Sequence, residues 1–188
     1  MVEFMEQTDL SKYDNSWYNP GKGVVVRALW YIVNMLFFKS SWNVSSGLKV
    51  GLLRAFDAKV GKGVNIKPCV NIKYPWNLVI GDYSWLGENV WIDNLAPVEI
   101  GNNVCISQGA LLLCGNHNYK KPTFDLMVGE IHIEDGAWVG AKAVVCPDVT
   151  IKTHAVLCVG SIATSDMEPY KIYQGNPAVC VKDRENEN

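Results

Sequence analysis

From Val60 to Ala163 the chain places an apolar residue at every sixth position, with interruptions at particular places. The series runs Val60, Ile66, Ile72, then Ile80, Leu86, Ile92, then Ile100, Ile106, Leu112, and resumes as Ile133, Val139, Val145, Ile151, Leu157 and Ala163. Four residues after most of these stands a small or β-branched residue, among them Val64, Ser84, Val104, Ala137 and Ala155. An amphipathic helix would space its apolar residues by three and four, and a half-buried strand by two. A period of six predicts short stacked units, each burying its aliphatic residue against the equivalent residue of the next coil.

The interruptions predict the cross-section. Spacing is six within each trio, eight from Ile72 to Ile80 and from Ile92 to Ile100, and twenty-one from Leu112 to Ile133. Every insertion follows a third hexad, so three hexads are expected to make one turn of a triangular coil, with excursions leaving from one corner. Glycines follow the inward residue at Gly61, Gly81, Gly87, Gly101 and Gly140, where the corner is expected to demand unusual backbone angles. The expected fold is all-β: a parallel β-helix of about five coils over residues 59–168, carrying a long loop at 114–131.

Residues 1–58 are different material. Val24 to Phe38, VVVRALWYIVNMLFF, is apolar but for Arg27 and Asn34, and is shorter than the roughly 20 residues that span a bilayer as a helix. It reads as a helix packed on the β-helix or on a neighbouring subunit, or as an interfacial helix making peripheral membrane contact. A second helical stretch near Ser46 to Phe56 is expected to cap the first coil and cover its open backbone edge. Residues 169–188 form a C-terminal tail.

Composition narrows the function. A length of 188 residues with 48% hydrophobic content suits one domain with a substantial core, and a net charge of −2 without a long basic run argues against a nucleic-acid partner. Six cysteines (Cys69, Cys105, Cys114, Cys146, Cys158, Cys180) follow hexad phases rather than C-x-x-C clusters. The opening MVEFMEQTDLSKYDN lacks the layout of a secretory signal, so reduced structural thiols and a cytoplasmic location, with the inner membrane face as a variant of it, are expected. Of the three histidines, His132 precedes the inward Ile133 and should face outward, and His154 occupies an ordinary hexad position. His117 stands at the start of the long loop, directly after a coil. A neutral imidazole there is the side chain best suited to take a proton near neutral pH.

The hexad pattern, the GNHNY and PTFDL segments of the long loop, and the turn Gly175-Asn176-Pro177-Ala178 resemble the hexapeptide-repeat acyltransferases. Within them the likeness is to sugar O-acetyltransferases, related to the galactoside and maltose enzymes, of the branch associated with colanic acid and other exopolysaccharide assembly. It extends over roughly residues 60–184. The resemblance implies a left-handed coil, a hand that periodicity does not give and that opposes the usual crossover rule. It further implies acetyl-CoA as acyl donor, a sugar hydroxyl as acceptor, no metal, a homotrimer with clefts between adjacent prisms, and His117 as general base.

The resemblance also assigns binding residues. For the acceptor, relatives carry an asparagine in the preceding coil where this chain has Gly87; Asn89, Asp93 and Asn94 in ENVWIDNLAP, polar residues one coil before His117 at an insertion corner, are expected to take that role, and Asp14 in LSKYDNSWYNPG matches a region that supplies an acidic acceptor contact in some relatives. For coenzyme A, Trp138 matches a tryptophan lining the pantetheine channel and Ala141 a backbone contact. Val159, Gly160 and Thr164 match positions near pantetheine and adenine, and Lys182, with Arg184 close by, a basic residue meeting the nucleotide phosphates. Two other basic positions of the family are Ser165 and Val179 here, leaving Lys142, Lys152 or Lys171 as substitutes. Two alternatives stand beside this reading: an N-acetyltransferase for a nucleotide-linked amino sugar or antibiotic, and a non-catalytic β-helix scaffold. A carbonic anhydrase on the same fold would need three metal-binding histidines at spacings that His117, His132 and His154 do not provide.

Overall fold

A computed structural model describes residues 7–185; the first six residues of the opening MVEFMEQTDLSKYDN and the last three of the tail lie outside the described residues. Fifteen short strands build three parallel sheets, the faces of a triangular prism. The first face holds Lys59–Val60, Leu78–Ile80, Val98–Ile100, Ile131–Ile133 and Thr150–Ile151. The second holds Asn65–Ile66, Trp85–Leu86, Cys105–Ile106, Trp138–Val139 and Val156–Leu157. The third holds Asn71–Ile72, Trp91–Asp93, Leu111–Leu113, Val144–Val145 and Ile162–Ala163. The chain visits first, second and third face in turn, completing five coils, and a bridge from Met167 to Ile151 starts a sixth.

The hexad residues form three internal ladders. Ile80, Ile100, Ile133 and Ile151 are in register on the first face, and Leu86, Ile106, Val139 and Leu157 on the second. Ile72, Ile92, Leu112, Val145 and Ala163 complete the third, and all of these residues are at most 2% exposed. Burying one such aliphatic side chain stabilises by about 1.5–3 kcal/mol, so the ladders are the main source of cohesion. The small residues four positions on, such as Val70, Val90, Ala110 and Ala143, are buried in the turns. All three insertions leave the corner between the third and first faces, the longest as an antiparallel hairpin of Gly115–His117 and Leu126–Val128.

One expectation is corrected. Positive backbone angles fall three residues after the inward position, at Gly63, Cys69, Tyr83, Asn89, Asn103 and Gly109 among others, not at the glycines directly after it. Those glycines answer to space. A Cβ on Gly81 would lie 2.5 Å from the Gly101 carbonyl carbon, and one on Gly140 2.6 Å from the Val159 nitrogen, both in the next coil.

Both ends of the prism carry added elements. Helix α1 (Val24–Val33) runs on through a π-helical turn at Asn34–Phe38, and α2 (Ser46–Ala55) follows. Their polar side chains meet the open edge of the first coil. Trp30 Nε1 donates to the Ile72 carbonyl at 2.9 Å, and Lys49 Nζ to the Ile66 and Lys67 carbonyls at 3.1 and 2.8 Å. Arg54 donates to the carbonyls of Val60 and Gly61, and the Ser46 hydroxyl accepts from Ile66 N–H. Each face of the exposed edge thereby receives side-chain hydrogen bonds, which blunts it as a template for strand addition. Helix α1 packs inward through Trp30, with Phe38 beyond it, and leaves Val25, Leu29, Ile32 and Leu36 exposed. At the far end Lys171–Gly175 extends the second face in parallel, and the chain turns back as Ala178–Asp183. Among the described residues no helix is long and apolar enough to cross a membrane.

Candidate active site

The long hairpin fixes His117 from two sides. Its tip is closed by a bond from Asn118 N–H to the Asp125 carbonyl and by an ion pair of Lys121 with Asp125, both 2.8 Å. Within this turn Phe124 takes the left-handed conformation, φ 50°, and His117 Nδ1 lies 3.0 Å from its carbonyl oxygen. The two rings stack with centroids 4.5 Å apart and planes inclined by 8°. A carbonyl oxygen only accepts, so Nδ1 carries the proton and the lone pair of the neutral ring sits on Nε2. Among the described residues no hydrogen bond engages that nitrogen.

The N-terminal segment crosses in front of this histidine. Asp9 N–H donates to the Pro122 carbonyl at 2.8 Å, the Tyr13 ring lies 5.7 Å from the His117 ring, and Tyr18 OH donates to the Leu95 carbonyl at 2.7 Å. Trp76 Nε1 donates to the Pro20 carbonyl at 2.6 Å, holding the end of the segment to the prism. Between segment, hairpin and third face lies a cavity of about 730 Å³ that His117 shares with Tyr18, Arg27, Lys73, Tyr74 and Asp93. That volume falls within the range of small-molecule sites. Lys73 Nζ lies 3.0 Å from Asp93 Oδ1, but outside hydrogen-bond geometry, so this buried oxygen has a counter-ion and no hydrogen-bond donor.

Of the expected acceptor residues, Asp93 alone lines the His117 cavity. Asn94 is fully buried, accepting from Tyr74 N–H and donating to the Tyr74 carbonyl, so it secures the insertion corner. Asn89 is an exposed corner residue with φ 59°. Asp14 lies between the cavity-lining Tyr13 and Asn15, yet its carboxylate accepts from Ser16 N–H and Oγ, and those bonds hold its pKa below the ordinary range. The Gly87 position cannot carry a side chain on this backbone, because a Cβ would lie 2.8 Å from Gln108 N.

The expected carrier residues divide into separate places. Trp138 stands half-exposed on the second face between Cys105 and Val156, its indole oriented by a 2.9 Å bond from Nε1 to Ser107 Oγ. Ala141, Val159 and Gly160 sit at the corner between the second and third faces, where Gly160 N–H donates to the Ala141 carbonyl at 2.9 Å and Val159 is 71% exposed. Thr164 is exposed just past the third face, and Lys182 is exposed on the returning tail strand, opposite Ile172. Arg184 lies at the other edge of the second face, where Nη1 donates to the carbonyls of Gly136 and His154, 3.0 Å each. Of the substitute lysines, Lys152 is paired with Glu168 and Lys171 with Asp183, whereas Lys142 is exposed beside Ala141 and forms no ion pair among the described residues.

His132 faces outward between Glu99 and Glu130, and His154 stacks on Tyr170 at a corner. Among the described residues no cluster of three or more His, Cys, Asp or Glu could hold a metal, and all six cysteines are free. Tyr18, Arg27, Lys73 and Tyr74 join the cavity without a motif in the sequence that marks them as site residues. Lys73 had a signal: like Asp93 it follows an inward residue of the third face, twenty positions earlier, so one coil of the period stacks the two.

No family model matches the chain. A protein provisionally named colanic acid biosynthesis acetyltransferase WcaF, from Escherichia coli (strain K12), is 34% identical over 164 residues, 87% of this chain and 90% of that protein. The galactoside O-acetyltransferase of the same strain is 29% identical over 135 residues, covering 70% of this chain and 66% of that protein. Among solved structures, a hexapeptide-repeat acetyltransferase from Vibrio cholerae superposes with a TM-score of 0.77 at 21% identity, over 86% of this chain and 92% of that one. Galactoside acetyltransferase in complex with coenzyme A superposes with a TM-score of 0.75 at 24% identity, over 86% and 82%. These likenesses establish the fold as a left-handed parallel β-helix. Sharing that prism, and 34% identity along 90% of the provisionally named WcaF acetyltransferase, the chain belongs to the hexapeptide-repeat acetyltransferases.

Proposed function

We propose that the protein transfers an acetyl group from acetyl-CoA to a sugar hydroxyl, with His117 as general base, in the assembly of a surface or extracellular polysaccharide. The observation that carries this reading is the Phe124 carbonyl on His117 Nδ1, which leaves Nε2 as a fixed, unprotonated acceptor at the edge of the cavity. In the reaction the acceptor oxygen attacks the thioester carbonyl carbon while its proton passes to Nε2. The tetrahedral intermediate collapses, the carbon–sulfur bond breaks, and the proton on Nε2 passes to the departing thiolate. The products are an acetyl ester and coenzyme A thiol, with His117 neutral again.

Asp93 supports the acceptor side of this reading, because its carboxylate lines the His117 cavity beside Lys73, where the pair suits a second sugar hydroxyl. On the donor side Trp138, Ala141, Val159 and Gly160 offer an apolar surface for the pantetheine arm, with Lys142 and Lys182 for the phosphates. We place the enzyme in the cytoplasm as a homotrimer, with donor and acceptor meeting between adjacent prisms, and with the exposed side of α1 resting on the inner membrane surface. The test is release of free thiol from acetyl-CoA across panels of free, nucleotide-linked and lipid-linked sugars, with mass spectrometry of the product. An acetyl ester on a sugar is expected; acetylation of an amine only, or no thiol release with any sugar, would overturn the reading.

A further inference from the structure

Beside the cavity in front of His117 lies a second one of about 310 Å³, and the two share Arg27, Lys73, Tyr74 and Asp93 in their walls. The second cavity adds Lys39, at the end of the π-helical turn, and is lined also by Trp30 and Tyr31 of α1. Three cations therefore line the two adjoining cavities against a single carboxylate, in a chain whose net charge is −2. Asp93 compensates Lys73 at 3.0 Å. No described carboxylate pairs with Arg27, and its Nε is buried without a hydrogen-bond partner.

A buried guanidinium nitrogen with an unmet N–H is costly, because it has lost water and gained no acceptor. Arg27 lines both cavities without a carboxylate partner, and an anion there would meet its guanidinium, which binds phosphate and carboxylate oxygens through paired N–H donors. Position adds to charge. Arg27 projects from the first turns of α1, whose seat on the prism is set by the Trp30 bond to Ile72, so the guanidinium is held beside the acceptor cavity by a packed helix.

We propose that Arg27, with Lys73 and Lys39, forms an anion subsite adjoining the His117 cavity, and that the acceptor carries a phosphate or carboxylate group next to the sugar that is acetylated. The subsite rests on the reading of the His117 cavity as the acceptor site. It selects sugars bearing a glycosyl phosphate or diphosphate, or a neighbouring uronic acid, over neutral sugars. The two sources share an oxyanion within reach of one guanidinium and differ in charge and in distance from the reacting hydroxyl.

The test measures kcat/KM for three acceptors of one sugar: its neutral methyl glycoside, its glycosyl phosphate, and a disaccharide in which it is linked to a uronic acid. The wild-type protein is expected to prefer one anionic acceptor over the neutral one by about 10- to 100-fold, the scale of one charge-assisted hydrogen bond. Whichever anionic acceptor carries the preference identifies the source. Arg27→Gln should bring the ratio close to one with the KM for acetyl-CoA unmoved, and Arg27→Lys should restore part of it. Equal kcat/KM on charged and neutral acceptors in the wild type would overturn the subsite. So would a parallel loss on all three acceptors in Arg27→Gln, or a rise in the acetyl-CoA KM instead, which would make Arg27 a structural or donor-side residue. Absence of transfer to any acceptor is a different result, and removes the acetyltransferase reading itself.

Discussion

The Phe124 carbonyl oxygen lies 3.0 Å from Nδ1 of His117 while the two rings stack at 4.5 Å. One residue thus settles both the tautomer and the plane of the imidazole. It does so from a left-handed backbone conformation, φ 50°, that a bulky residue adopts only when its surroundings impose it. The hairpin tip, closed by the Lys121–Asp125 pair, supplies that constraint.

If Nε2 takes the acceptor proton, His117→Ala should lower kcat by about 10²- to 10⁴-fold, the usual worth of a positioned general base. Coenzyme A binding by calorimetry and the far-ultraviolet circular dichroism spectrum should be unchanged. Phe124→Ala keeps the backbone carbonyl and loses the stack, so its loss should be smaller, about tenfold, and fall on kcat rather than on the acetyl-CoA KM. Near-normal turnover of His117→Ala would remove the histidine from the mechanism.

Gly87 supplies a prediction about stability. Its Cβ position is occupied by the backbone of the next coil, 2.8 Å from Gln108 N and 2.9 Å from the Ser107 carbonyl carbon. Introducing an asparagine with Gly87→Asn should therefore destabilise the prism by about 1–3 kcal/mol, and Gly87→Ala by nearly as much. Urea denaturation measures it. A melting curve superposable on wild type would mean that the coils separate locally at little cost.

Much of this architecture was legible in the chain because each ladder is periodic. Ile72, Ile92 and Leu112 announce their own stacking, and the same period brings Lys73 above Asp93. The corner glycines were misread because period alone does not separate a demand for φ from a demand for space; Gly81 has no room for a Cβ, whereas Asn103, near the start of the next coil, takes the positive φ. Arg27 was not legible at all. Its place in the cavity depends on how α1 lies across the prism, and that is set by the Trp30 bond to Ile72, 42 residues away. Asn94 shows the opposite failure: its spacing suits a ligand contact, but its amide is consumed by the Tyr74 backbone.

Acid should loosen the corner between the first and second faces. Asp135 accepts from Asn102 N–H at 2.7 Å, Asn102 Oδ1 from Asp82 N–H at 2.8 Å, and Asp82 from Lys62 N–H at 2.9 Å, a chain of side chains satisfying one coil after another. The bonds from Asn102, backbone first, hold the Asp135 carboxyl below its ordinary 3.8. A depressed folded-state pKa contributes stability that is present above 3.8 and is lost as pH falls through the lowered value. The melting temperature of wild type should therefore fall as pH drops below about 3.8 by more than that of Asp135→Asn. Parallel acid profiles for the two proteins would show that this carboxylate is not a determinant.

Helix α1 supplies the last prediction. Val25, Leu29, Ile32 and Leu36 recur at intervals of four, three and four, so they form one stripe, and they are exposed by 72, 52, 53 and 53%. The opposite side of the helix is already engaged, with Trp30 buried on the prism and Asn34 bonded to Asn71. An apolar stripe of this length in water is unfavourable at about 25 cal/mol per Å², and a helix lying in the interface of a bilayer would bury it without crossing. The protein should therefore co-sediment with vesicles containing anionic lipid. Leu29→Glu combined with Ile32→Glu should reduce the bound fraction by about tenfold or more, with circular dichroism and elution volume unchanged, because neither side chain supports the prism. A wild-type protein that stays in the supernatant, together with a double variant that elutes as a smaller particle, would instead assign the stripe to a contact between subunits.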